Sequence, residues 1–329
     1  MPFSPEPGAK PATSPPQALA EPALAAVEAW DHSRSALSAA APPRPGYGSG
    51  RQWRARIDLG FEQRAQRTAL PHILHEGPLR VQRPFYPEGP VCHVYLLHPP
   101  GGLVSGDQLR IHADLAAAST ALITTPSAGK IYKGDSCGVS QYQQVKLSLA
   151  AGSSLEWLPQ ETILYDGALG HSDTRVDLAA DSRFIGWELI CLGRPASQIR
   201  FQQGRFLQRM AIYRDGEPLL LEKQPLQADS PLATERWGLQ GYPVVGNLYA
   251  VGFDTEPVAL IEQLRAELAH SDAPEHALRV AVTWRLGVLV VRLLGRDTEQ
   301  ARHCFTALWR QIRPPLLGRS AEIPRIWLT

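Results

Sequence analysis

The chain has 329 residues, 44% of them hydrophobic and 20% charged, with a formal net charge of +1. This is the composition of a soluble globular protein large enough to bury a core without disulfide or metal staples. Near-zero net charge argues against a role resting on bulk attraction to nucleic acid or to an anionic membrane surface.

Residues 1 to about 50 are rich in Pro, Ala, Ser and Gly, as in "PATSPPQALAEPALAAVEA" and "APPRPGYGSG". Too few large apolar side chains are present there to offset the entropy of ordering, so the expectation is a disordered tail with a transient helix around Leu24 to Trp30. No basic patch leads into an apolar core, so no signal peptide is expected. No apolar run reaches bilayer-spanning length. Cys92, Cys137, Cys191 and Cys304 are scattered without a C-x-x-C pair, which fits a reducing compartment and excludes the usual structural zinc spacings. The expected location is the cytoplasm.

At Trp53 the pattern changes, and a single domain over residues 51–329 is expected. Trp53, Ala55, Ile57, Leu59 and Phe61 alternate with polar residues, as a half-buried strand does. Alternation recurs at Leu109, Ile111, Ala113 and Leu115, at Val145, Leu147 and Leu149, and at Val280, Val282 and Trp284. "RDGEP", with Asp215 and Gly216, separates two apolar runs and predicts a hairpin. Helical spacing predicts one helix after Asp254 or Thr255, with Val258, Ile261, Leu264 and Leu268 on one face. A second starts at Thr298, turns Ala301, Phe305, Leu308 and Ile312 inward, and is stopped by Pro314 and Pro315. No fixed-period repeat stands out. The fold class expected is mainly β with a small α+β C-terminal part carrying about two helices.

"GDSCG", Gly134 to Gly138, fits the G-x-S-x-G nucleophile elbow of a serine hydrolase, with Ser136 as nucleophile and Asp166 and His171 following in the right chain order. That elbow needs a helix after the serine, whereas "VSQYQQVKLSL" alternates like a strand; a surface turn is the preferred reading. "SAGKIY" around Lys130 lacks the phosphate-loop spacing, so no nucleotide site is expected. His72, His75, His93 and His98 form no helical metal pair, and a strand over 93 to 98 would send the last two to opposite faces. Carboxylates embedded in apolar stretches are more informative: Asp107 closing "GGLVSGD", Glu161 in "LPQETILYDG", Glu188 in "FIGWELICLGR" and Glu222 in "PLLLEKQP". Each must face outward, pair with an arginine, or serve as an oxygen ligand along an internal passage for a divalent cation.

The stretches "GPLRVQRPFYPEG", "YLLHPPGGLVSGD", "LITTPSAGKIYK", "LEWLPQETILYDGA", "WELICLGRPAS" and "IRPPLLGRSAEIPRIWLT", in this order from about Trp53 to Thr329, together resemble the urease accessory protein family UreD, also called UreH. Ser105 and Ser127 stand where that family usually has glycine, which questions positive φ there. The resemblance implies a β-helix-like or stacked-sheet fold and a non-enzymatic scaffold. Its implied partners are the urease apoprotein, UreF, and the nickel-carrying GTPase UreG, without nucleic acid or membrane. No tightly bound cofactor is implied, only transient Ni2+ on an internal passage whose acidic positions fall on Asp107, Glu188 and Glu222. "HPPGGLVSGD" then becomes a turn that fixes the place of Asp107.

Overall fold

The computed structural model describes residues 53–270 and 278–328. The expected tail over residues 1–50, with its short helix, lies outside the described residues. Among these residues the chain forms two large sheets and a small set of helices. Sheet 1 runs in the order β14 (Glu217–Gln227), β13 (Arg205–Arg214), β11 (Leu169–Leu178), β8 (Gln141–Leu149), β5 (Gln108–Leu115), β1 (Arg54–Arg64) and β2 (Arg67–Glu76). Sheet 2 runs β16 (Leu278–Arg285), β17 (Val288–Gly295), β15 (Val244–Val251), β12 (Arg183–Leu192), β9 (Ser154–Leu158), β6 (Thr120–Thr124), β4 (Cys92–Leu97) and β3 (Arg80–Val81), with β7 (Gly129–Ile131) and β10 (Thr162–Leu164) beside it.

From β4 to β13 the chain alternates between the sheets, and successive strands in each sheet pair in parallel. This is a β-helix-like coil, mainly β as expected. Its edges carry antiparallel strands: β2 and β14 on sheet 1, and β3 at one edge and β15, β17 and β16 at the other on sheet 2. The predicted hairpin joins β13 to β14, with Asp215 (φ 49°) and Gly216 (φ 85°) both in the left-handed region that such a tight turn requires.

Register stacks like residues along the coil. Leu59, Ala113, Leu147, Val176 and Ile212 form one inward row of sheet 1, and all are buried. The coil turns at one end reuse a local motif, L-A-A-x-S, beginning at Leu115, Leu149 and Leu178. In each, the serine N–H closes the turn onto the first alanine carbonyl, from Ser119 to Ala116, Ser153 to Ala150 and Ser182 to Ala179. The copies are unequally spaced because the loops at the opposite end differ in length.

Three helices follow: α1 (Pro231–Thr234), α2 (Val258–His270) and α3 (Thr298–Leu317). The last two cover the outer face of sheet 2, so that sheet is buried on both sides. In α2, Ile261 and Leu264 are buried as expected, while Val258 is exposed. In α3, Asp297 caps the start by accepting from the Gln300 N–H at 2.9 Å, and Ala301, Phe305, Leu308 and Ile312 face inward. The expectation that Pro314 and Pro315 stop this helix is corrected: it continues to Leu317 and ends at Gly318 in the left-handed region. Leu316 and Leu317 are buried beyond the prolines, and Arg313 is anchored just before them, so packing outweighs the lost backbone bonds.

That anchor is a buried ionic network. The Arg313 guanidinium, wholly buried, donates to Glu156 of β9 at 2.9 Å and to Glu88 at 2.7 Å. Trp309 Nε1 donates to Glu156 at 2.7 Å, and His93 Nε2 lies 2.5 Å from Glu88. Burial alone would raise the Glu88 carboxyl, but the bonds from His93 and Arg313 outweigh it and hold it down to about 2.

Candidate functional site

Between the sheets the core is aliphatic over most of its area, but at the β11–β13–β14 side it becomes polar. The inward row Ile57, Ile111 and Val145 continues as Thr174, Met210 and Glu222. The neighbouring row, in register across β8, β11, β13 and β14, is Gln143, Ser172, Gln208 and Gln224. Period-2 alternation puts all of these on the face turned toward sheet 2.

Sheet 2 answers with its own polar residues. Glu188 of β12, buried, accepts from Thr174 Oγ1 at 2.6 Å and from Gln208 Nε2 at 2.6 Å. Tyr249 of β15 donates its hydroxyl to Glu222 Oε2 at 3.0 Å. Arg292 of β17 donates through Nη1 to Glu222 Oε2 at 3.3 Å and to Asn247 Oδ1 at 3.1 Å, and through Nη2 to Glu222 Oε1. Asn247 in turn donates to Gln224 Oε1 at 3.4 Å. Gln208 Oε1, also buried, has no hydrogen-bond partner among the described residues.

The electrostatics follow from this burial. Removal from water pushes the Glu188 carboxyl up to about 7; Thr174 and Gln208 pull against that, while Glu222 and Asp173 add to it. The Tyr249 phenol is pushed well above its ordinary value, first by burial and then by the two carboxylates.

Asp107 stands apart. It precedes β5, in the register row of Gly170 two strands away and four residues short of Thr174, so about 16 Å separates it from Thr174 at ordinary strand spacing and rise. No hydrogen bond joins it to Glu188 or Glu222 among the described residues. The "HPPGGLVSGD" stretch is a compact turn: Gly101 N–H donates to the His98 carbonyl at 2.8 Å, Gly106 takes φ 90°, and Asp107 Oδ2 accepts from Val104 N–H at 2.9 Å. Ser105 and Ser127 do not take positive φ, so serine is unstrained at both. Burial raises the Asp107 carboxyl despite the Val104 bond and His98, and burial lowers the His98 imidazole despite Asp107. His98 lies just past the end of β4 and lines an inter-sheet cavity of about 90 Å³ together with Gln143 and Trp157. The row from Gln143 to Gln224 therefore links that cavity to the Glu188–Glu222 cluster.

Sequence reasoning singles out Glu188 and Glu222, which the structure brings into one cluster. It does not find Arg292, Tyr249, Thr174 or Gln208, and it leaves His98 as an ordinary histidine. Glu161, the fourth carboxylate noted, is buried with Arg302 3.5 Å away. Among the described residues, no group of three or more His, Cys, Asp or Glu is arranged to hold a metal ion.

The hydrolase alternative loses its structural context. Gly138 is followed by β8, with no helix, and the Asp135 carboxylate caps the turn by accepting from the N–H groups of Cys137 and Val139. Asp166 accepts from the backbone of Gln202 and Gln203, and His171 stacks on Tyr142 with ring centroids 4.7 Å apart. A serine on such a turn has no helix N-terminus to sharpen it. Among the described residues, no helix is long and apolar enough to cross a membrane.

A family model described as UreD urease accessory protein matches residues 54–328. Among curated relatives, the urease accessory protein UreD of Marinobacter nauticus is 49% identical over 286 residues, 85% of this chain and 94% of its own length. That of Chromohalobacter salexigens is 47% identical, covering 87% and 94%, and that of Hahella chejuensis 41%, covering 93% and 100%. The chain belongs to the UreD family of urease accessory proteins.

Proposed function

We propose that this chain is a non-enzymatic scaffold in urease maturation, which binds the urease apoprotein, recruits UreF and through it UreG, and gives nickel a route between its two sheets. The observation that carries the passage is the convergence of Glu188 and Glu222, from opposite sheets, in a polar layer inside an otherwise aliphatic sandwich. Most of the layer is hydrogen-bonded within itself, but the buried Gln208 Oε1 has no partner among the described residues, and such an acceptor is costly there unless water or a cation uses it. The lining groups offer carboxylate, amide and hydroxyl oxygens. Such donors hold a borderline cation such as Ni2+ more loosely than a thiolate or imidazole cage, which suits cargo that must leave. The polar row toward Gln143 and His98 supports a route that continues in the direction of Asp107.

The test is co-expression of the urease subunits with UreF and UreG, with and without this chain, followed by urease activity and nickel content. Both should fall sharply when the chain is omitted; activation independent of it would overturn the maturation role. Alanine variants of Asp107, Glu188 and Glu222 should fold and assemble yet deliver less nickel. Normal nickel loading by all three would overturn the passage.

A further inference from the structure

We infer that Arg292 is a displaceable counter-ion that closes the polar layer at Glu222, so that an entering divalent cation must take the place of its guanidinium. The inference rests on the passage reading above and adds the part that regulates it.

Glu222 has two sides. On the inner side, buried Tyr249 donates its hydroxyl at 3.0 Å. On the outer side Arg292 presents its planar fork to both carboxylate oxygens while its side chain remains 53% exposed, against 22% for Glu222. Glu222 therefore marks the boundary between solvent and the layer, and a protein cation already occupies the outward position. A guanidinium suits a carboxylate in shape, but a pair this exposed is screened by water and weakly held. Its long stem can swing outward without disturbing β17, whose neighbouring side chains are packed.

Departure of Arg292 would free two oxygens at once, a Glu222 carboxylate oxygen and Asn247 Oδ1. A second, independent observation lies deeper. Gln208 is 97% buried by exposure of 3%, its amide nitrogen is committed to Glu188, and its Oε1 receives no hydrogen bond among the described residues. A buried acceptor of that kind calls for water or a cation. The layer thus has an outer position filled by a guanidinium and an inner acceptor ready for what passes it.

The test is titration of the full-length chain with NiCl2 by calorimetry, for wild type, R292Q, R292K, E222Q and the double variant E222Q/R292Q, each checked by thermal melting. R292Q should bind Ni2+ about fivefold more tightly, the factor that corresponds to an exposed ion pair. R292K, a point charge without the fork, should fall between R292Q and wild type, and the double variant should lose the gain. Equal affinity in wild type and R292Q, with binding lost in E222Q, would overturn the gate and leave the passage intact. No Ni2+ binding by any variant, R292Q included, would remove passage and gate together. If R292Q does not fold, R292K decides: affinity no higher than wild type overturns the gate.

Discussion

Glu188 carries a stability signature that can be read without any metal. Its carboxyl is lifted to about 7 from an ordinary 4.5, so between those values the folded chain holds a proton that the unfolded chain has released. Its contribution to stability therefore falls as pH rises from about 4.5 to about 7 and levels off above. Glu188→Gln should remove that slope and, at pH 8, exceed wild type by up to roughly 3 kcal/mol. Urea melts across this range check it; a wild type that gains over the variant as pH rises would contradict the assignment. Glu88 behaves oppositely: its contribution is present above 4.5 and is lost as pH falls toward 2. Arg313→Met would leave Glu88 and Glu156 buried without their guanidinium, and should cost roughly 3–5 kcal/mol in the same assay. Ser136→Ala should leave urease activation unchanged, and the purified protein should not label with a fluorophosphonate probe. Glu188 and Glu222 are legible in the sequence because a carboxylate in an apolar run needs a reason. Arg292 and Gln208 are not, since their meaning lies in partners across the sheets.

Helix α3 docks through a small residue on β15. A Cβ at Gly246 would lie 2.7 Å from the Phe305 ring and 3.0 Å from the Leu189 side chain. Gly246→Leu should therefore push α3 outward, at a cost of about 1–3 kcal/mol read by thermal melting. The predicted strands near Ile57, Ile111 and Val145 are visible because sheet 1 has one outward polar face. Sheet 2 is buried on both faces, so β15, "VVGNLYAV", is buried at every position and shows no alternation. β11 alternates perfectly in burial, yet its inward residues include Gly170, Ser172 and Thr174, and polar residues turned inward hide the pattern. The same polar positions build the candidate site, so what obscures the strand is what makes it useful. The L-A-A-x-S turns escape a search for a fixed period because only one end of each coil is constant.

For the molecule as a whole, the described strands begin at Arg54, and the Trp53 carbonyl is already tied to Gln108 N–H at 2.9 Å. Removing residues 1–50 should leave the melting temperature and urease activation unchanged; loss of either would show that this segment packs or recruits. The coiled topology also has a consequence for how the protein is made. Each parallel strand is laid on one already synthesised, so the coil can lengthen in step with the nascent chain leaving the ribosome. Thr174, Glu188 and Gln208 meet within that growing part. Arg292 lies 70 residues beyond Glu222, on a strand translated after the coil is complete. During synthesis Glu222 is thus an open carboxylate, and the residue that covers it is among the last to arrive.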